Sequence, residues 1–462
     1  MKHTTITKLS DMVSFYDRVN KDRRLAVGIE WERSGIYTDT LKPVPYNGKK
    51  KGYLAIMKKL HEEVGWRIDE GKSNYITALS RRNTRVTTEA DGRLELTGSP
   101  NNNLHTLARE FRIHVNEVRE MSNLFKIGWL PLGWQPFHTS DEIPMVSKKR
   151  YQIFMKLVKN QMLEDNMKKN NGLTASFSYT DEENAISLIQ TAFRLRPIIG
   201  AMFASSPLNN KKVSKYLNYR RYNEFSYLPE RHNFPKNILS KRFSLKNWIR
   251  YYLKLPVILY IRGGKELVPD RRLTFKQWID RGYHGIEPTI FDFDQHIKTI
   301  WTDIRLRPGY VEYRVADSVP FRYVMSVPAL VKGLFFDSVS RRQVYDLTKK
   351  WTYQDVLSLD KRAWKLGLRA KIDKIPLLYF AQEIIQIANN GLHKIAKKNS
   401  KGEDESIFLN PIKEQILIKE KSIAEEIRDL WRGEWRQNPE ELIKYSTRSL
   451  SYSNIVADKK TN

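Results

Sequence analysis

An α+β fold is predicted for this 462-residue chain by three observations. Apolar residues recur at helical spacing in several long segments, as in Leu104, Leu107, Phe111, Val115, Val118 and Leu124. Shorter segments alternate apolar and polar residues with period two, as strands do. The two kinds are interspersed along the chain with no internal repeat. An apolar fraction of 40% and 11 tryptophans supply enough material for a large core.

Taken in order, residues up to about 24 read as a lead-in helix, with Leu9, Met12, Val13, Tyr16 and Val19 on one face. A strand is expected at Leu25 to Arg33, an amphipathic helix from Gly52 to Val64, and short strands at Trp66–Asp69 and Asn74–Leu79. The long helix from Asn103 to Lys126 follows, with His105 and His114 as packing or surface residues. A short apolar strand is expected at Trp129–Phe137, a helix at Lys148–Met167, and a strand at Leu173–Tyr179 with Thr174, Ser176 and Ser178 on its polar face. Thr180 with Glu183 gives a capping-box start to a helix that Pro197 should end. Asn209–Phe243 reads as a long basic and aromatic loop holding Arg220, Arg221 and Arg231. A strand at Leu255–Arg262, a helical turn at Thr274–Arg281, a helix at Asp294–Ile304 and a strand bearing Glu312 and Arg314 come next. Helices are expected from Pro328 on, with Lys398–Glu405 a solvated linker. Grouped into units, this gives a lead-in over 1–24, a catalytic unit over 25–325, a helical region over 326–450 and a tail over 451–462.

Acidic residues mark the candidate site. Glu30 and Glu32 share one strand face about 7 Å apart, with Ile29 and Trp31 on the other. In Thr87–Pro100, Glu89 and Glu95 would lie about 20 Å apart in an unbroken strand, too far to share an ion. Asp91-Gly92 between them is a turn signal, and folding back there would bring the two carboxylates together. Two strands with acidic pairs on a common face form an oxygen-rich surface suited to Mg²⁺, a hard cation usually shared between carboxylates and phosphates.

Composition excludes several classes. Cysteine is absent, which removes disulfides, thiolate metal sites and a cysteine nucleophile. No apolar run approaches the ~20 residues of a membrane span, and the start lacks a signal-peptide core, so a soluble cytoplasmic protein is expected. The net charge of +28 admits nucleic-acid binding, but the basic residues are interleaved with acids and form no tail. Such a field also draws in nucleotides and acidic amino acids.

Gly28-Ile29-Glu30-Trp31-Glu32, the run Glu89–Pro100 with Leu104-His105, and Leu132-Gly133-Trp134-Gln135-Pro136 resemble, in order and spacing, the plant-type glutamate–cysteine ligase family of ATP-dependent carboxylate–amine ligases. Ala201–Pro207, Ile304–Asp317 and Gly433-Glu434-Trp435 extend the resemblance over roughly residues 25 to 440. It implies a curved, mostly antiparallel sheet of the glutamine-synthetase kind with helices outside. It also implies ATP and Mg²⁺ as cofactors, and the joining of the glutamate γ-carboxylate to the amine of cysteine through an acyl phosphate. Glu30, Glu32, Glu89 and Glu95 match the family's metal-binding glutamates, with Glu312 a further candidate. Arg220 and Arg231 match arginines near the amino acid and the transferring phosphate, and Arg305 and Arg314 match ATP or phosphate partners. The chain departs from the family at Thr174, Ser176 and Ser178, in Asn166–Gly172, and at Glu224, where the family has tryptophan. These departures leave room for a different amine acceptor. A basic nucleic-acid binder that kept the scaffold and lost catalysis is the reading from another class.

Overall fold

The computed structural model describes residues 4–17, 25–48, 51–157 and 160–447. Its frame is a nine-stranded sheet in which every neighbouring pair is antiparallel. The strands are β1 (Val27–Tyr37), β2 (Arg67–Lys72), β3 (Tyr75–Arg81), β4 (Thr84–Thr88), β5 (Leu94–Thr97), β6 (Ile127–Leu130) and β7 (Gly172–Ser178). Three two-stranded hairpins lie outside the sheet among the described residues: β8 (Leu208–Asn209) with β9 (Lys212–Val213), β10 (Tyr260–Arg262) with β11 (Lys265–Leu267), and a short one pairing Lys371–Ile372 with Ile375–Pro376. β12 (Ile304–Arg307) and β13 (Tyr310–Asp317) complete it, in the order β12-β13-β7-β1-β5-β4-β3-β2, with β6 paired to the far end of β1.

The central strand explains how the sheet acquires two unlike faces. Val27, Ile29 and Trp31 alternate on the back of β1 and are fully buried. Trp31 meets Phe111 of the helix Leu104–Phe125 edge-on, with ring centroids 4.9 Å apart. Arg33 follows, sandwiched between Trp31 and Trp129 with its carbon centre 4.5 and 4.9 Å from the two rings, and it meets the His114 ring at 2.6 Å. His114 is therefore a packing residue, as expected. Glu30 and Glu32 are left on the front.

Helices pack around the sheet, among them α1 (Leu9–Asp17), α2 (Tyr53–Glu62), α3 (Leu104–Phe125), α4 (Lys149–Leu157), α5 (Gln161–Lys169), α6 (Glu182–Met202), α7 (Tyr219–Glu224), α8 (Leu245–Leu253), α9 (Phe275–Arg281), α10 (Ile290–Ile297), α11 (Ser326–Phe335), α12 (Ser338–Thr348), α13 (Tyr353–Leu366) and α14 (Leu377–Ile395). One apolar core runs through sheet and helices from Ile6 to Ile443.

Several elements differ from expectation for visible reasons. The single helix expected over Lys148–Met167 is two, because Asn160 caps α5 by accepting from the Met162 amide at 2.8 Å. α6 does not stop at Pro197 but runs to Met202, and its N-cap is Asp181, which accepts from the Asn184 amide. An interior proline costs about 3 kcal/mol; α6 offsets this with a final half buried on every side. The supposed loop after Asn209 contains the β8–β9 hairpin and α7, capped by Asn218. Only Tyr260–Arg262 of the Leu255–Arg262 segment is a strand. The helix expected to begin near Phe293 starts at Ile290, set by the Thr289–Asp292 capping box, and Ile304 already opens β12. Glu405 is no linker residue: it is buried, accepts from the Leu104 amide at 2.6 Å and pairs with Lys332 at 2.5 Å. Val19 and the tail 451–462 lie outside the described residues.

α11 and α14 approach backbone to backbone. A Cβ at Gly333 would sit 2.2 Å from the Ala388 carbonyl oxygen, and one at Gly391 would sit 2.1 Å from that of Gly333. Gly333→Ala is therefore expected to destabilise the protein by about 1–3 kcal/mol or more, because backbone must move to admit one methyl group. Urea unfolding followed by circular dichroism measures this, and a neutral effect would show that the two helices are looser than they look.

Candidate functional site

Register places the acidic residues on one face. Across β1, Glu30 stands opposite Thr97 of β5 and Thr174 of β7, and Glu32 opposite Glu95. β4 sets Thr87 opposite Glu95, and β13 sets Glu312 opposite Ser176 of β7 and Arg305 of β12. The turn between β4 and β5 closes through a hydrogen bond from the Glu89 amide to the Arg93 carbonyl, 3.0 Å. Gly92 takes φ +94° there, and a side chain would strike Tyr46 and Tyr53. The fold-back at Asp91-Gly92 thus brings Glu89 and Glu95 onto the same front.

Two cavities open on this front. The first, about 170 Å³, has Glu32, Glu89, Arg93, Thr174 and Arg314 on its sheet side. Tyr151, Asn166, Asn170, Arg220, Glu224, Tyr227, His232 and Trp301 face them. The second, about 510 Å³, is walled by backbone and small residues: Gly28, Thr97, Gly98, Pro100, Ser176, Ser178 and Pro308-Gly309-Tyr310, with Glu30 in its lining. Glu30 and Thr174 face each other across β1 and β7, so the cavities are neighbours on the sheet.

The carboxylates are unequally compensated. Glu32 accepts from Arg93 Nε at 3.3 Å and Nη2 at 3.2 Å, and from the Gly172 amide at 3.3 Å. Glu312 is 2.5 Å from Arg305, with Arg314 and Arg307 at 3.7 and 3.8 Å. Glu95 receives only the hydroxyls of Thr87 (3.0 Å) and Thr97 (3.4 Å). Among the described residues, Glu30 and Glu89 form no ion pair. Burial first, and then the charge on Glu312, pushes the Glu30 carboxyl up to about 7. Burial, followed by Glu30, Glu89 and Glu32, raises Glu95 well above the carboxylate range. Burial raises Glu32 against the opposing pull of Arg93. Among the described residues, no group of three acidic or histidine side chains is arranged to hold a metal on its own.

The expected arginines separate. Arg314 lines the first cavity. Arg305 lies beside it in the cluster with Glu312. Arg220 reaches the same cavity but is anchored, donating to Asp317 at 2.7 Å, Glu224 at 2.8 Å and the carbonyls of Arg314, Val315 and Ala316. Arg231 lies elsewhere: its guanidinium donates to the carbonyl and hydroxyl of Thr299 and to the Pro256 carbonyl, behind Trp301. It does not line the cavity, because these loop carbonyls hold it. Burial lowers its pKa to about 10.

Other residues of the site were not singled out from sequence. Arg93 falls on the Glu95 face by strand parity, which is the signal that would have found it. Asp317, fully buried, holds Arg220 and also accepts from the Ser205 amide and Ser206 hydroxyl at 2.8 and 2.7 Å. Asp303 lines the first cavity and forms a buried network with Arg196, Arg221 and Asp360. His232 carried no local sequence signal.

An antiparallel sheet with an acidic front between two cavities, its back covered by helices, is an arrangement that carboxylate–amine ligases share. Residues 26–444 match the model of glutamate-cysteine ligase family 2, and the chain belongs to that family. The chloroplastic glutamate–cysteine ligase of Medicago truncatula is 26% identical over 418 residues, covering 89% of this chain and 79% of that protein. The chloroplastic enzyme of Solanum lycopersicum is 27% identical over 428 residues, covering 90% and 78%. Among solved structures, glutamate–cysteine ligase from Francisella tularensis in complex with AMP superposes with a TM-score of 0.55 at 15% identity, over 93% of this chain and 88% of that one. That likeness concerns the fold. No helix of the described residues is long and apolar enough to cross a membrane.

The raised Glu30 carboxyl has a consequence for stability. A proton stays on it up to about pH 7 in the fold but leaves near pH 4.5 in the unfolded chain. The stability it contributes is complete below 4.5 and lost as pH rises through 7. Glu30→Gln removes that titration. In ligand-free protein it is expected to gain about 1–3 kcal/mol over wild type at pH 8 and little at pH 4.5. Thermal melting at the two pH values decides, and a variant no more stable at pH 8 would contradict the assignment.

Proposed function

We propose that this enzyme joins the γ-carboxylate of glutamate to the amine of cysteine, using ATP and Mg²⁺, by way of an acyl phosphate. The observation that carries this reading is the row of under-compensated carboxylates between a polar cavity and a larger backbone-walled one. Phosphate binding alone has no use for acids. A nucleotide brought by divalent cations does.

The larger cavity suits the nucleoside, since glycines, prolines and small hydroxyls let a flat base and ribose lie against the chain. Glu30, Glu89 and Glu95 present oxygen donors without a cation, and Glu32 joins them next to Arg93. These residues fit Mg²⁺, which takes one or two protein carboxylates and leaves its other positions to phosphate and water. Bound there, Mg²⁺ neutralises the triphosphate and draws charge from the transferring phosphoryl group. Glu312 is already surrounded by three arginines, so its part is to orient Arg305 and Arg314 toward the phosphates. The smaller cavity takes the amino acids, with Tyr151, Tyr227 and Trp301 keeping water from the acyl phosphate. No covalent enzyme nucleophile is needed, in keeping with a chain that has no cysteine. A related amine in place of cysteine is the second reading, favoured by Glu224, whose carboxylate faces the smaller cavity.

Glu95→Gln is expected to lower glutamate- and cysteine-dependent phosphate release from ATP at least about a hundredfold while the melting profile stays native. Chelation of Mg²⁺ should abolish the wild-type rate, and added Mg²⁺ should restore it. Near-normal turnover in the variant would remove the acidic face from the mechanism. Phosphate release with another amine and none with cysteine would establish the second reading.

A further inference from the structure

The smaller cavity is lined by two groups, His232 and Glu224, whose contact with a substrate the proposed chemistry leaves unassigned. His232 lies in its lining, is 2% exposed, and completes no hydrogen bond through either ring nitrogen. Its ring is fixed among Phe225, Tyr227 and Trp301, with centroids 5.3, 5.2 and 6.1 Å away. Burial holds it neutral, with its pKa lowered to about 4, while the Trp301 carbonyl lies on one side as a place for its N–H. The other nitrogen then presents a lone pair. A buried imidazole nitrogen left unpaired costs about 1–3 kcal/mol, a deficit that a ligand in the cavity removes.

Glu224 is the second acceptor. Both of its bonds, from Arg220 and from Asn170 at 2.8 Å each, end on Oε1. Oε2 is left for the cavity. Both groups line the same cavity. A carboxylate oxygen and an imidazole lone pair in one small cavity accept hydrogen bonds, which matches a primary amine or ammonium and rejects a carboxylate. Phe154, Leu163, Met167 and Trp301, also in the lining, offer a soft apolar surface on which a thiol packs better than a hydroxyl.

We propose that Glu224 and His232 form the subsite that binds and orients the amine of the acceptor, with the apolar wall taking its side chain. The assignment rests on the ligase reading above. Glu224 and His232 each accept an N–H of the neutral amine, which leaves its lone pair facing the acyl carbon, and the proton lost on attack departs with the phosphate. Neither residue is asked to form or break a bond.

The test is steady-state phosphate release with Glu224→Gln, His232→Phe and His232→Gln, varying cysteine, glutamate and ATP in turn. Glu224→Gln keeps the Arg220 contact, and His232→Phe keeps the ring packing. Each is expected to raise the KM for cysteine about tenfold or more, with the KM values for glutamate and ATP within about twofold of wild type. His232→Gln, which retains an acceptor, should recover part of the loss. Hydroxylamine at high concentration needs no subsite and traps the acyl phosphate, so hydroxamate formation should stay near wild type in all three. An unchanged cysteine KM, or equal losses for hydroxylamine and cysteine, overturns the subsite. A wild-type protein that forms neither hydroxamate nor peptide overturns the ligase reading instead.

Discussion

Acidic side chains held together out of water, where they cannot all ionise, are the constraint on which this molecule depends. Glu30, Glu32, Glu89 and Glu95 come from three segments of chain, and the antiparallel register of β1, β4 and β5 leaves them no way to separate. At the low effective dielectric of a half-buried sheet their repulsion is worth several times its value in water. The fold meets that cost on the other face. Val27, Ile29, Trp31, Leu94 and Leu96 are all buried there, and the acids cannot turn away without exposing them. The ligand-free site is thus held in a state that a bound divalent cation would relax, which is how a metal-nucleotide site gains affinity without a closed cage.

The arginines divide the same labour differently. Arg305, Arg307 and Arg314 crowd around Glu312 and remain near the front. Arg196 and Arg221, by contrast, are locked onto Asp303 and Asp360 with almost no exposure. Buried ion pairs of this kind add little net stability, but breaking one leaves a stranded charge that costs about 3–5 kcal/mol. Such a network suits a wall that must not shift. It supports α7, which carries Arg220 and Glu224, and thereby fixes the side of the cavity that faces the sheet.

How much of this was legible in the sequence follows from the range of the forces involved. Strand parity is local, so the shared face of Glu30 and Glu32, and the turn at Asp91-Gly92, could be read from neighbours in the chain. The buried stripe of α3 was equally plain for Leu104, Leu107, Phe111, Val115 and Val118, whereas Leu124, expected in it, is exposed in the last turn. Arg231 was not, because its position depends on the carbonyls of Thr299 and Pro256, far along the chain and without side-chain identity. α7 is six residues long and has no periodicity to detect; only its Asn218 cap and the distant Asp317 explain it. α6 passes through Pro197 because tertiary burial outweighs a local rule. His232 becomes a candidate only when its surroundings show that nothing pairs with it.

The overall charge now has a place in the same account. With 80 basic and 52 acidic residues, the surface as a whole attracts anions, while the acidic front locally repels them. Glutamate and a nucleotide are both anionic, so the field of the whole chain raises their concentration near the cleft without discriminating between them. In the function proposed above, discrimination falls to the front, where a row of carboxylates would repel a bare triphosphate and accept one accompanied by divalent cations. The excess of lysine and arginine and the row of glutamates therefore act at different ranges on one task, and neither needs a nucleic acid to explain it.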